Sequence, residues 1–216
     1  MFVAQQPVAA LVLIAFFLLL SFPVHEFAHA FAAYRLGDST AKLFGRLTLN
    51  PIAHFDQVGG TMLVLSILVT GFPLGFAQTP VNPRNLRGRY GEAIVAAAGP
   101  LSNLLIAAAV AIVLRILLAT TGPATGSLAF AESILSFIVQ GSIILGLFNL
   151  IPIPPLDGGT IMLSLVSPRT AWQLRPILSQ YGFFLIILLI IPFGGESIIG
   201  RILFPIVRSI YGLLVG

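Results

Sequence analysis

Two histidines four residues apart, with a glutamate directly after the first, stand at His25-Glu26-Phe27-Ala28-His29. On a helix, positions four apart differ by about 40° in azimuth, so His25 and His29 look the same way. That spacing suits two imidazoles on one Zn²⁺ at roughly 2.0–2.1 Å. Glu26 is turned about 100° away; it cannot share the metal as a ligand from that face, but it can flank a water beside it. The pattern therefore reads as zinc-dependent hydrolysis, with two histidine ligands and a glutamate general base. A catalytic zinc also takes a third protein ligand and keeps one position open. Among the few acidic residues, Asp157 in Leu156-Asp157-Gly158-Gly159 is the best candidate, because adjacent glycines let the backbone bring a carboxylate close. Read alone, Asp157 serves equally well as the cap of a helix starting near Gly159. The rival reading of the histidines is a helix-packing pair with Glu26 as counter-ion.

The elements that must position these residues are apolar. Of 216 residues, 57% are apolar and 8% charged, with a mean hydropathy of +1.03; soluble domains run near 25%, about three times that share of charge. No polar block is long enough to form a separate soluble domain. The chain reads as an all-α polytopic membrane protein, a single membrane-embedded domain over residues 1–216 with about four to six transmembrane segments. In that setting three ionisable side chains on adjacent turns are costly, which weighs against a packing role and for a functional one. The net charge of +4 comes from scattered arginines and reads as loop charge that orients a membrane protein, with no nucleic-acid footprint. The absence of cysteine excludes disulfides, thiolate zinc sites and cysteine nucleophiles. The N-terminus lacks the positive region of a secretory signal, and its apolar run continues into the histidine motif, so it reads as a mature helix.

In chain order, core spans are expected over about 7–34, 92–119 and 128–152, with C-terminal hydrophobic segments at about 180–193 and 197–215. The last of these is compatible with spanning or with lying on the surface. Pro23 is expected to kink the first helix one turn before His25. Residues 40–76 read as a re-entrant or membrane-inserted element. The alternation over Lys42–Leu49 suggests a short hairpin or edge strand, and Val58–Phe76 is apolar but broken by glycines and Pro73. Arg84, Arg87 and Arg89 mark one basic loop, Arg169 and Arg175 another. If Arg35, Lys42 and Arg46 after the first helix and the loop of Arg84, Arg87 and Arg89 both face the cytoplasm, Val58–Phe76 enters and leaves on one side, and the next two spans return the chain to that face at Arg169 and Arg175. His25, His29 and Asp157 then meet near the cytoplasmic face of the cell (inner) membrane.

The combination of His25-Glu26-x-x-His29 with the distant Asn149-x-x-Pro152-x-Pro154-Pro155-Leu156-Asp157-Gly158 resembles the site-2 protease family of intramembrane zinc metalloproteases. Leu49-Asn50-Pro51-x-x-His54-x-Asp56, Val81-Asn82-Pro83-Arg84-Asn85 and Ala98-Gly99-Pro100-x-x-Asn103 resemble its compact bacterial subgroup, which has no PDZ or CBS domain. The resemblance implies His25, His29 and Asp157 as ligands of one zinc ion per chain, and Glu26 as the residue that activates water. It also implies that Asn149 contacts the substrate backbone or the developing oxyanion. The substrate would be a transmembrane protein or peptide, cut within or near its span in regulated intramembrane proteolysis. The chain departs from the Gly-Trp-Ala-Lys-Pro of many similar sequences, reading Gly75-Phe76-Ala77-Gln78-Thr79-Pro80.

His54 is open to a transient ligand, proton-shuttle or gating role near the substrate, or to binding loop carbonyls. Asn103 and Ser102 are open to substrate contact or to interhelical hydrogen bonding. Two rival functions use the same residues. A metal transporter would need ionisable groups continuing to the far face, where there are almost none, and a non-catalytic membrane scaffold would not need Glu26. The lipid bilayer is the expected surround, and assembly into an oligomer is left open.

Overall fold

The computed structural model describes residues 7–54, 79–121, 125–191 and 197–216, with isolated positions at 61, 64, 65 and 68. The segment Val58–Phe76, expected to insert in the membrane, lies almost wholly outside the described residues, as does the departure at 75–78. Among the described residues, five helices are long and apolar enough to cross a bilayer. They are α1 (Pro7–Arg35), α4 (Gly91–Thr121), α5 (Ser127–Asn149), α7 (Pro168–Ile190) and α8 (Ile198–Val215). Shorter helices among the described residues include α2 (Thr40–Leu43), α3 (Pro51–His54) and α6 (Asp157–Leu165). The chain is an all-α polytopic membrane protein.

The bundle is closed by three apolar contacts. Ala9, Ala10, Leu13, Phe17 and Phe22 of α1 pack on Ile134, Ile138 and Leu145 of α5. Ala107, Ala111 and Leu114 of α4 meet Val139, Ile143 and Ile144 of α5 together with Val207 and Val215 of α8. Alanines four apart let α4 approach its neighbours closely, as small residues do where lipid offers no hydrophobic drive. Phe148, Leu156 and Ile186 form a third cluster beside the Pro-rich turn. The opposite faces expose Leu105, Ile112, Ile116 and Phe184, a pattern suited to hydrocarbon and not to water.

The kink expected at Pro23 takes the form of a π-helical turn over Phe17–Ser21, in which the Phe22 N–H reaches back to Phe17 O. Proline has no N–H for the preceding turn, and one widened turn absorbs that loss just ahead of His25. Two expectations are corrected. No strand runs through Lys42–Leu49: Thr40–Leu43 is a helical turn followed by turn and bend. Asp38 Oδ1 accepts from Thr40 N at 3.1 Å and Thr40 Oγ1 at 2.6 Å, which starts a helix where alternation alone suggests a strand. The apolar segment at 180–193 is the second half of a longer helix, so Arg169 and Arg175 sit on α7 and not in a loop. Ser167 accepts from Thr170 N and Pro168 follows at the first turn, a start signal that the arginines masked.

Asp38 ties the end of α1 to the strap 79–85. Its carboxylate is fully buried and also accepts from Asn82 N at 2.7 Å and Asn85 Nδ2 at 3.0 Å. Burial raises its pKa, but the donors on Thr40, Asn85 and Asn82 outweigh burial and hold the carboxyl below its ordinary value. A group depressed in the folded state stabilises fully above its unfolded pKa, and that stability is lost as pH falls through the folded one. Thermal unfolding in nanodiscs is therefore expected to show a midpoint that drops on acidification below about pH 4. Asp38→Asn should start lower and show a shallower acid slope.

Candidate active site

α1, α4 and the start of α6 converge on one point. His25 and His29 are buried on one face of α1 with their Nε2 atoms 3.0 Å apart. Asp157, at the first position of α6, places Oδ2 3.3 Å from His25 Nε2 and Oδ1 3.3 Å from His29 Nε2. Its carboxylate turns to the imidazoles and not to the helix end it begins.

The two Nε2 atoms thus lie 3.0 Å apart, and each faces a different oxygen of the Asp157 carboxylate at 3.3 Å. Ligands at 2.0–2.1 Å from a tetrahedral zinc lie about 3.3 Å from one another, so these separations are close to the spacing of ligands on one such ion. Two further features fit a cation there. Asp157 Oδ2 is buried without a hydrogen-bond partner among the described residues. Gly99 of α4 faces the site, and a Cβ on it would run into the Nε2 atoms of both His25 and His29. Among the described residues, His25, His29 and Asp157 are the one group with metal-ligand geometry.

The outer nitrogens of both imidazoles are held. His29 Nδ1–H donates to Val95 O at 2.7 Å, which leaves Nε2 with its lone pair toward Asp157. His25 Nδ1 lies 2.9 Å from Nδ2 of Asn103, itself fully buried, and Asn103 Oδ1 accepts from Ser21 Oγ at 3.4 Å. A His25 that gives Nε2 to a metal carries its proton on Nδ1, so the Asn103 oxygen must face it and the amide NH₂ must turn to Ser21. Such partners fix tautomer and ring angle, and losing one typically costs about 10–100-fold in metal affinity. Asn103→Leu is expected to weaken zinc binding by about that factor, read by competition with a chelator of known affinity.

Glu26 is 1% exposed. Its Oε2 accepts from Thr79 Oγ1 at 2.6 Å. Thr79 also lines a cavity of about 300 Å³ with His29 and Asp157, whose mouth carries Glu92 and Arg175, paired at 3.6 Å. The metal triad is thus reached from the end of the bundle where α4 begins.

The remaining sequence-derived residues fall elsewhere. Asn149 is buried at the end of α5, where its Nδ2 donates to Leu145 O at 2.9 Å; a role at a scissile carbonyl needs that amide to exchange partners. His54 donates from Nε2 to Thr48 O at 2.6 Å and so closes its own loop, with Nδ1 buried and unpartnered among the described residues. Asn103 lies behind His25, and Ser102 donates to Gly99 O at 2.7 Å. Gly158 and Gly159 are inside the first turn of α6 and are needed for packing: a Cβ would strike the Leu150 and Ile151 carbonyls and Pro154 respectively. Sequence reading missed Val95, Gly99 as a cradle, and Thr79. Their only signals are a glycine in an apolar helix and a hydroxyl in a polar strap.

An all-α membrane bundle in which two histidines and an aspartate converge beside a buried glutamate, with a cavity reaching His29 and Asp157, has the parts of a membrane-embedded zinc metalloprotease. The family model described as Peptidase family M50 matches residues 13–122 and 120–189, and the chain belongs to that family. It is similar to YwhC of Bacillus subtilis (strain 168), a candidate zinc metalloprotease by name, at 40% identity over 82% of this chain and 80% of that protein. It is also similar to Rip2 of Mycolicibacterium smegmatis (strain ATCC 700084 / mc(2)155), named in the same way, at 32% identity over 80% of this chain. Rip2 of Mycobacterium tuberculosis (strain ATCC 25618 / H37Rv) is 31% identical over 81% of this chain. The chain spans 64% and 65% of the two Rip2 proteins. No solved structure matches significantly.

Proposed function

We propose that the chain acts as a single membrane-embedded domain that hydrolyses peptide bonds within or near transmembrane segments of membrane-protein substrates, as in regulated intramembrane proteolysis. One zinc ion is held by His25, His29 and Asp157, on the cytoplasmic side of the cell membrane. The observation that carries this reading is the convergence of the His25 and His29 Nε2 atoms, 3.0 Å apart, on the Asp157 carboxylate, each 3.3 Å from one of its oxygens, beside a buried glutamate. Zinc bound there supplies Lewis-acid polarisation of the scissile carbonyl and a lowered pKa for water.

The protein's own groups do the rest. Glu26 takes a proton from the attacking water as the O–C bond forms, then delivers it to the amine as the C–N bond breaks. The outer partners Asn103 and Val95 keep the imidazoles aimed inward. Asn149, released from Leu145, donates to the developing oxyanion. A substrate helix must unwind locally first, because its carbonyls are otherwise held in helical hydrogen bonds. The cytoplasmic placement is supported by Arg84, Arg87 and Arg89 just ahead of α4, whose second turn carries the Val95 carbonyl that holds His29.

The test is a panel of single-span substrates in proteoliposomes, with cleavage sites mapped by mass spectrometry. Cuts inside or within a few residues of the span, abolished by a chelator and restored by zinc, are expected. Cuts confined to soluble loops of those substrates would contradict the reading.

A further inference from the structure

The geometry points to Thr79 as a positioning residue for Glu26, carried to the carboxylate by a strap that Asp38 pins to the end of α1. The inference rests on Glu26 being the general base, and goes beyond it by naming what holds that base in place.

Among the described residues, Thr79 Oγ1 is the hydrogen-bond donor to the Glu26 carboxylate, at 2.6 Å from Oε2. The same hydroxyl lies 3.2 Å from Glu26 O, so its single proton is shared between side chain and main chain of one residue. A glutamate side chain has three rotatable torsions, and a base must present one oxygen to water in a narrow range of directions. A donor fixed on Oε2 removes much of that freedom and leaves Oε1 for the water.

The strap is built to hold Thr79 still. Three residues on, Asn82 N is anchored on Asp38 Oδ2 at 2.7 Å, and Asn85 Nδ2 on Oδ1 at 3.0 Å. Arg87 N then binds Leu36 O at 2.8 Å, and Asn82 accepts from Arg84 N to start the turn Pro83–Asn85. Gly37, at φ 107°, permits this docking, because a Cβ there would press on Asn85 O and Arg87. Pro80 and Pro83 fix their own φ angles between anchor and hydroxyl. The strap therefore links the loop after α1 back to Glu26 within α1, along one wall of the cavity that Thr79 shares with His29 and Asp157.

Thr79→Val keeps the shape of the side chain and removes the donor; Thr79→Ser keeps the donor. Hydrogen bonds to charged groups are worth enough that kcat should fall about 10–100-fold in the valine variant, with KM and zinc content near wild type. The serine variant should recover most of that loss. Independently of activity, the Glu26 carboxylate stretch can be isolated in zinc-free protein labelled with ¹³C-glutamate, as the infrared difference from Glu26→Gln. It should shift in the valine variant and not in the serine one; Thr79→Ala replaces valine if that variant alters zinc content. An unshifted band, wild-type kcat in the valine variant, or equal losses in valine and serine would overturn the proposal. If Glu26→Gln itself cleaves normally, the failure lies with the general-base reading instead.

Discussion

Glu26→Gln is expected to lower kcat for peptide hydrolysis by about 10²–10⁴-fold, the usual worth of a positioned general base. Zinc content should stay at the wild-type level, because Glu26 is not one of the three residues whose ligand atoms converge. The substitution is close to isosteric, and the glutamine oxygen can still accept from Thr79, which sits 2.6 Å from Oε2 in the wild type. What disappears is the capacity to take a proton from water and return it to the leaving amine. Rates on a single-span substrate and metal analysis of the same preparation separate the two effects. Loss of zinc together with activity would instead make Glu26 part of the metal's support, and an undiminished rate would remove it from the chemistry.

Gly99→Ala is expected to weaken zinc binding by at least about 100-fold, at the upper end of what outer-shell changes cost. The added Cβ would occupy the space of both Nε2 atoms. An imidazole can swing aside, but each one here is tied at its outer nitrogen, His29 to Val95 and His25 to Asn103. Moving either ring breaks an outer bond and spoils the convergence of the ligand atoms at once. Gly212 is a useful control, since a Cβ there meets nothing within 4 Å; alanine at that position should leave zinc binding unchanged. Equilibrium competition for zinc, with helix content by circular dichroism to establish folding, reads both variants.

The two-histidine motif was legible because four-residue spacing on a helix dictates a shared face before any partner is known. Asp157 was legible only as one of two alternatives, since a carboxylate that begins a helix looks the same in sequence whether it caps or binds. In the structure its two oxygens turn to the imidazoles, each 3.3 Å from one Nε2, a direction that favours binding over capping. What lies around the motif was not legible. Gly99 and Val95 matter through the crossing of α1 and α4, and no periodicity within α4 reports which of its small residues faces a histidine, whereas Asn103 makes the interhelical hydrogen bonds that the sequence offers as one of its two roles. The strap is a similar case: Thr79 stands 53 positions from Glu26 and reaches it through Asp38, which in sequence is simply an aspartate after a helix. The expected number of apolar spans agrees with the five long helices among the described residues, while α7 is longer than its apolar half suggests, because Arg169 and Arg175 look like loop residues and are carried on a helix whose cap lies at Ser167.

X-ray absorption at the zinc edge of the protein in nanodiscs tests the central claim most directly. One zinc per chain is expected, with nitrogen and oxygen neighbours near 2.0–2.1 Å, about the distance of imidazole and carboxylate ligands, and the scattering signature of two imidazoles. That signature should fall to one imidazole in His29→Ala. A metal with no imidazole signature, or one unchanged by that substitution, would contradict a zinc site built from His25, His29 and Asp157.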